Sequence, residues 1–204
     1  MSTAHTSGAG RVVQVSVSPQ GGVPKHAVAG ATLGLDNVEG DKQRERRFHG
    51  GPLRAVCLFS HERLLALQSE GHPIEPGSTG ENLLLSGLDW DEIRPGVRLE
   101  IGAATVEITS YTKPCFKIAA SFAGGEWKRM WQRPHPGWSR LYARVLLEGE
   151  VRPGDAVQVL APLEAGPVEA GPVEAGPVEA GPVEAGPVEA GPVEAGPVEA
   201  GPVE

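Results

Sequence analysis

Apolar and polar residues alternate along much of the chain. Val13, Val15 and Val17 alternate with Gln14, Ser16 and Ser18, the period of a half-buried strand, and Pro19-Gln20-Gly21-Gly22 ends the run. Val97, Leu99 and Ile101 alternate with Arg98 and Glu100, and Ala104, Val106 and Ile108 with Thr105, Glu107 and Thr109. The two runs meet across Gly102-Ala103, which predicts a hairpin. A further alternation sets Leu141, Ala143, Val145 and Leu147 against Tyr142, Arg144 and Leu146. Leu53 to Phe59 reads as a buried strand, and Leu83 to Leu85 follows a turn-rich segment. Ile93-Arg94-Pro95-Gly96 and Val151-Arg152-Pro153-Gly154 are similar turns, each launching an alternating strand.

Three short stretches switch to helical spacing. Ser60 is placed to cap a helix from His61 to about Glu70, with Leu64, Leu65 and Leu67 on or near one face and Gly71 as its stop. Phe116, Ala119 and Ala120 follow the same spacing. So do Trp127, Met130 and Trp131, a stripe read as core rather than as a cofactor platform. Many short strands, frequent Pro-Gly punctuation and few helices predict a mainly β, barrel-like domain.

Composition divides the chain. From Ala165 to Glu204 it is eight copies of Ala-Gly-Pro-Val-Glu. Proline every fifth residue excludes a continuous helix, glycine every fifth excludes collagen, and one valine per repeat builds no core. Nine of the 26 acids lie from Glu164 onward, leaving 17 against all 18 lysines and arginines in the first 163 residues, a formal +1. The expected organisation is a flexible N-terminus over 1–10, one β-barrel-like domain over 11–163 and a disordered repeat tail over 164–204. A near-neutral body offers no general electrostatic case for nucleic acid or an anionic membrane. Nothing resembles a signal peptide or a membrane span, so a cytoplasmic location is expected. Two cysteines in a reducing compartment are expected to stay free.

Those cysteines differ in setting. Cys57 lies in the continuous apolar run Val56-Cys57-Leu58-Phe59 and reads as a buried strand residue. Cys115 stands where alternation stops at Pro114 and helical spacing begins. On this pattern Pro114 takes the first helical position and Cys115 lies in a first turn bracketed by Lys113 and Lys117, a setting that favours thiolate, a nucleophile and soft metal ligand. The alternative is a small buried hydrophobe, whose thiol burial would hold protonated. Lys42, Arg44, Arg46, Arg47 and His49 precede Gly50-Gly51, either a solvated charged loop or a cluster of donors suited to phosphate. Glu81 and Asn82, at the mouth of a strand, are either turn residues or groups that orient a ligand, and Arg140 opens a strand within reach of an anion.

Five separated segments, in this order and spacing, resemble the MOSC domain, named for the C-terminal part of molybdenum cofactor sulfurases. They are Gly40-Asp-Lys-Gln with His49-Gly-Gly-Pro, Pro76-Gly-Ser-Thr-Gly-Glu-Asn-Leu, Lys113-Pro-Cys-Phe-Lys-Ile, His135-Pro-Gly-Trp-Ser-Arg, and Leu147-Glu-Gly-Glu-Val-Arg-Pro-Gly-Asp. The resemblance spans about residues 11 to 160 and is to the small stand-alone bacterial form. It implies a β-barrel-like fold whose family cysteine maps onto Cys115. That cysteine would ligate the metal of a molybdenum cofactor (molybdopterin) in a reductase of N-hydroxylated compounds, or carry persulfide sulfur in a non-turnover carrier. On donor type, Lys42, Arg47, His49, Gly50, Gly51, Glu81, Asn82, Lys117 and Arg140 are the candidates to hold the phosphate and pterin. A small-molecule substrate and an external reductase or cysteine desulfurase are the implied partners. Pyridoxal phosphate is not expected, since the chain lacks room for a desulfurase domain.

Overall fold

The structure, a computed structural model, describes residues 10–42 and 50–161. Ten strands are present: β1 (Gly10–Val17), β2 (His26–Val28), β3 (Ala31–Leu33), β4 (Val56–Ser60), β5 (Leu83–Ser86), β6 (Arg98–Ile101), β7 (Ala104–Tyr111), β8 (Leu141–Leu147), β9 (Gly149–Val151) and β10 (Ala156–Leu160). The main sheet runs β10-β6-β7-β8-β4-β5-β1-β2, and a further pairing of β10 with β1 closes seven of these strands into a barrel. Closure removes the exposed edges that an open sheet would present. The pairings are antiparallel except between β4 and β5, which are joined by the one α-helix among the described residues, α1 (His61–Ser69). A mainly β barrel with few helices is the architecture that the alternation predicts.

Several elements form where the pattern places them. Gly102-Ala103 makes the two-residue turn between β6 and β7, with Ile101 opposite Ala104. The Ser60 hydroxyl accepts from Arg63 N at 3.2 Å and caps α1, whose Leu64 and Leu67 are buried while Leu65 is exposed. The barrel interior is filled by alternate residues, among them Val15, Leu58, Leu99, Val106, Ile108 and Ala143.

Others differ for physical reasons. In β1 the pairing with β5 slips between Val12 and Gln14, and this bulge turns Val12, Val15 and Val17 inward and leaves Val13 exposed. Leu53 is outside β4 altogether. Gly51, at φ +75°, and Pro52 start a 3-10 turn over Pro52–Arg54, and the strand begins at Val56. The segments after Cys115 are not α-helices but 3-10 turns, Phe116–Ser121, Ala123–Gly125 and Trp127–Met130, cut apart where Phe122 is extended (φ −129°, ψ 133°) and Glu126 leaves helical backbone (φ −76°, ψ 47°). Met130 and Phe122 join the core and Trp127 packs against it. The pentapeptide repeats and residues 1–9 lie outside the described residues.

No described helix is long and apolar enough to cross a membrane.

Candidate functional site

One cavity of about 440 Å³ opens beside the barrel at the end where β4, β5 and β8 meet the segment after β7. Its size falls in the range of small-molecule sites. The segments that wall it are far apart in sequence: Gly21 to Lys25, Asp41-Lys42, Gly50, Arg54, Cys57, Thr79 to Asn82, Lys113 to Ile118, and Arg140 with Tyr142.

Strand pairing builds the floor. Cys57 of β4 is the direct partner of Tyr142 of β8, so both side chains leave the sheet on the same face, while Val56 and Leu58 belong to the core. Burial pushes the Cys57 thiol up, against the opposing pull of the Arg140 and Lys25 charges. It also pushes the Tyr142 phenol up, so that group is protonated at neutral pH. Arg54 lies over the Tyr142 ring, 5.8 Å from its centre. Asn82 ties the floor to its neighbours: its Oδ1 accepts from Cys57 N at 3.1 Å, and its Nδ2 donates to Ser16 O and to Asp41 Oδ2, each at 3.1 Å. Asp41 also accepts from Ser18 N at 2.8 Å and pairs with Lys25.

The turn before β5 forms a second wall. Glu81 is buried, and its carboxylate accepts from Gly77 N and from Thr79 Oγ1, which holds the turn closed from behind. Gly77, at φ +83°, admits no side chain, because a Cβ would come within 2.3 Å of Lys25 O. Lys25 N donates to Gly77 O at 2.9 Å, so the turn positions the lysine of the opposite wall. Arg140 Nη1 donates to Thr79 O.

Cys115 sits at the rim, half-buried, in extended backbone (φ −135°, ψ 168°) as the cap of the 3-10 turn rather than inside a first helical turn. The expected array of helical N–H donors around its sulfur is therefore absent. What surrounds the cavity instead is side-chain charge. Among the described residues, Lys25, Lys42, Arg54, Lys113, Lys117 and Arg140 face a single carboxylate, Asp41, which Lys25 already engages. Arg140 is the informative member. It is 7% exposed, it has no carboxylate within ion-pair distance among the described residues, and its buried Nε bonds to nothing there. A buried guanidinium left in this state is costly, and an anion in the cavity would complete it.

The structure thus brings together Cys115, Lys42, Gly50, Asn82, Lys117 and Arg140 of the sequence candidates. Gly51 starts the adjoining 3-10 turn and Glu81 lies behind the wall, both off the cavity surface. Arg47 and His49 lie outside the described residues. Sequence reasoning did not select Lys25, Asp41, Arg54, Thr79 or Tyr142, and read Cys57 as buried without placing it on a cavity. The local signals were the places of Asp41 and Thr79 inside the Gly40-Asp-Lys-Gln and Pro76-Gly-Ser-Thr motifs and of Tyr142 on the polar phase of its strand, two residues after Arg140.

Residues 45–158 match the MOSC domain. The chain belongs to that family. The Bacillus subtilis protein YflK is 32% identical over 141 residues, covering 69% of this chain and 63% of that protein. YiiM of Escherichia coli is 30% identical over 89 residues, covering 42% of this chain and 40% of YiiM, so the chain spans less than two thirds of either relative. The crystal structure of YiiM from Geobacillus stearothermophilus superposes with a TM-score of 0.57 at 25% identity, over 74% of this chain and 75% of that one. MOSC membership associates the domain with molybdenum cofactor proteins, and the cavity's donor set of one accessible thiol and an excess of cations fits a group with a soft metal and a phosphate.

Proposed function

We propose that this MOSC domain binds the molybdenum cofactor in the cavity, with Cys115 Sγ as a metal ligand, and reduces N-hydroxylated compounds with electrons from another protein of the cytosol. The observation that carries the proposal is the pairing of a half-exposed cysteine with a buried arginine whose Nε is unbonded, in one strongly cationic cavity.

Arg140, Lys113, Lys117, Lys42 and the Gly50 backbone are the cavity donors that would hold the phosphate. Tyr142 and Arg54 form a stacked wall suited to a flat heterocycle. Asn82 acts through Cys57 and Asp41 and keeps the floor in place. When bound, the cofactor supplies two-electron redox chemistry at its metal. The overall change is R–NHOH + 2 e⁻ + 2 H⁺ → R–NH₂ + H₂O. Cys115 stands at the rim, where substrate and solvent protons arrive.

The test is molybdenum and pterin content of protein from a cofactor-competent host, for wild type, Cys115→Ser and Cys57→Ser. Stoichiometric metal retained in Cys57→Ser and lost in Cys115→Ser is expected, together with reduction of an N-hydroxylated substrate by chemically reduced viologen. Equal loss in both variants overturns the assignment of the cysteines. The same half-exposed sulfur also suits a persulfide carrier. That reading predicts a protein without metal that acquires one sulfur on Cys115 from a cysteine desulfurase and performs no reduction.

A further inference from the structure

The segment that brings Cys115 to the cavity is tied down at its far end. Cys115, Lys117 and Ile118 line the cavity, and the chain then runs through the 3-10 turn to Ser121, Phe122 and Ala123. Ile118 is buried between these ends, and its N–H donates to Cys115 O at 3.2 Å, which closes the turn on the cysteine. Two bonds hold the far end. Ser121 Oγ donates to Ser78 O at 3.3 Å, in the turn that Glu81 grips, and Ala123 N donates to His72 Nδ1 at 3.2 Å. The His72 and Phe122 rings meet edge to face with 5.1 Å between their centres. His72 is itself fixed, being 9% exposed with its backbone N–H on Leu67 O of α1.

This grip depends on charge. To accept from Ala123 N, Nδ1 must carry no hydrogen, so the neutral ring keeps its proton on Nε2, which lies 3.6 Å from Glu70 Oε2. A second proton goes to Nδ1 and sets two N–H groups against each other. The Glu70 carboxyl is held below its ordinary value, first by its hydrogen bonds from Arg129, so a carboxylate faces the ring and favours that second proton. Arg129, which Glu70 engages, and His135, when charged, act in the opposite sense. Glu75, on the segment of His72 itself, and Glu126 and Lys128, on the adjoining turns, are exposed.

We infer that His72 is a positioning residue for Cys115, holding the far end of its segment only while the imidazole is neutral, so that acid loosens this wall of the cavity. The consequence for the metal rests on the cofactor reading. The grip itself does not, because neither His72 nor Ala123 lines the cavity.

The experiment follows hydrogen exchange of the Ala123 amide by nuclear magnetic resonance in metal-free, full-length protein between about pH 8 and about pH 5, the range in which imidazoles change charge. Each rate is divided by the intrinsic rate at that pH. Wild type is compared with His72→Asn, which keeps an acceptor where Nδ1 lies and does not titrate, and with His72→Phe, which keeps a ring against Phe122 and has no acceptor. Wild-type protection is expected to fall about tenfold across the range, the scale of one lost hydrogen bond. It should stay level in His72→Asn and be low throughout in His72→Phe, while the amides of β7 keep their protection in all three. Level wild-type protection overturns the inference, as does an acid loss that persists in His72→Asn. Should His72→Phe fail to fold, the other two proteins decide. Molybdenum content after dialysis of protein loaded at pH 8 carries the inference to the site: at about pH 5 wild type should lose metal that His72→Asn keeps. Equal metal in the two loaded proteins at that pH overturns the positioning of Cys115. A chain that never takes up molybdenum sinks the cofactor reading instead, and the exchange result stands apart from it.

Discussion

Replacing Asn82 by alanine should destabilise the whole domain, because the side chain links β4, β1 and the Asp41 turn rather than waiting for a ligand. It is 3% exposed, accepts from Cys57 N of β4 and donates to Ser16 O of β1 and to Asp41. Truncation leaves the Cys57 N–H and the Ser16 carbonyl without this partner, at about 1–3 kcal/mol each where water cannot replace the bond, while Asp41 keeps Lys25 and Ser18 N. Water entering from the cavity would relieve part of this, so about 2–4 kcal/mol is the expected loss, a large share of a typical domain's stability. In urea, with a slope of about 2 kcal/mol/M, the midpoint should fall by about 1–2 M. Asn82→Asp sharpens the test. The acceptor facing Cys57 N is kept, but a carboxyl oxygen now meets Asp41 Oδ2 in place of the Nδ2 donor. Such a pair binds a proton more tightly folded than unfolded, so the stability of the variant should be lost as pH rises through the folded value and recover, relative to wild type, as pH falls from 8 to 5. A midpoint for Asn82→Ala that corresponds to less than about 1 kcal/mol of loss would refute the latch and return Asn82 to the role of a ligand contact.

The remaining predictions concern the two walls, the cysteines and one surface pair. Gly77→Ala should cost about 2–5 kcal/mol, since it combines a left-handed backbone with a Cβ overlapping Lys25 O, and thermal unfolding would show it. With iodoacetamide at pH 8, Cys115 should be alkylated at least about tenfold faster than Cys57, whose burial holds the thiol protonated; peptide mass spectrometry reads both sites in one sample. The Glu70 carboxyl is held below its ordinary value, first by its hydrogen bonds from Arg129, so the stability this pair supplies is present at neutral pH and lost as pH falls through the folded value. Glu70 is well exposed and solvent-screened, so Glu70→Gln should cost no more than about 0.5 kcal/mol at pH 7, and the difference should vanish by about pH 3.

Local sequence was informative where one residue's neighbours settle its state. The Gly102-Ala103 hairpin, the Ser60 cap of α1 and the alternation of β7 and β8 follow from period and turn chemistry, and a barrel follows from many such strands. The ordered motifs around His49, Gly80, Cys115 and Arg140 carried the family on their own, and the match over residues 45–158 agrees. Where local pattern misled, a neighbouring strand or a glycine had decided the outcome. The slip against β5 turned Val13 outward, and extended Phe122 with positive-φ Gly124 and Gly125 divides the segment after Cys115 into short 3-10 turns.

The cavity itself belongs to tertiary structure. That Cys57 and Tyr142 share a face depends on the register of β4 against β8, more than eighty residues away in sequence. That Asn82 spends its amide on Cys57, Ser16 and Asp41, and Glu81 its carboxylate on Gly77 and Thr79, depends on which backbone groups the barrel brings beside them. Residue type says that a side chain can donate, accept or carry charge. Whether those bonds are taken up by the protein or remain open to a ligand, as at Arg140 Nε, is set by the packing of distant segments.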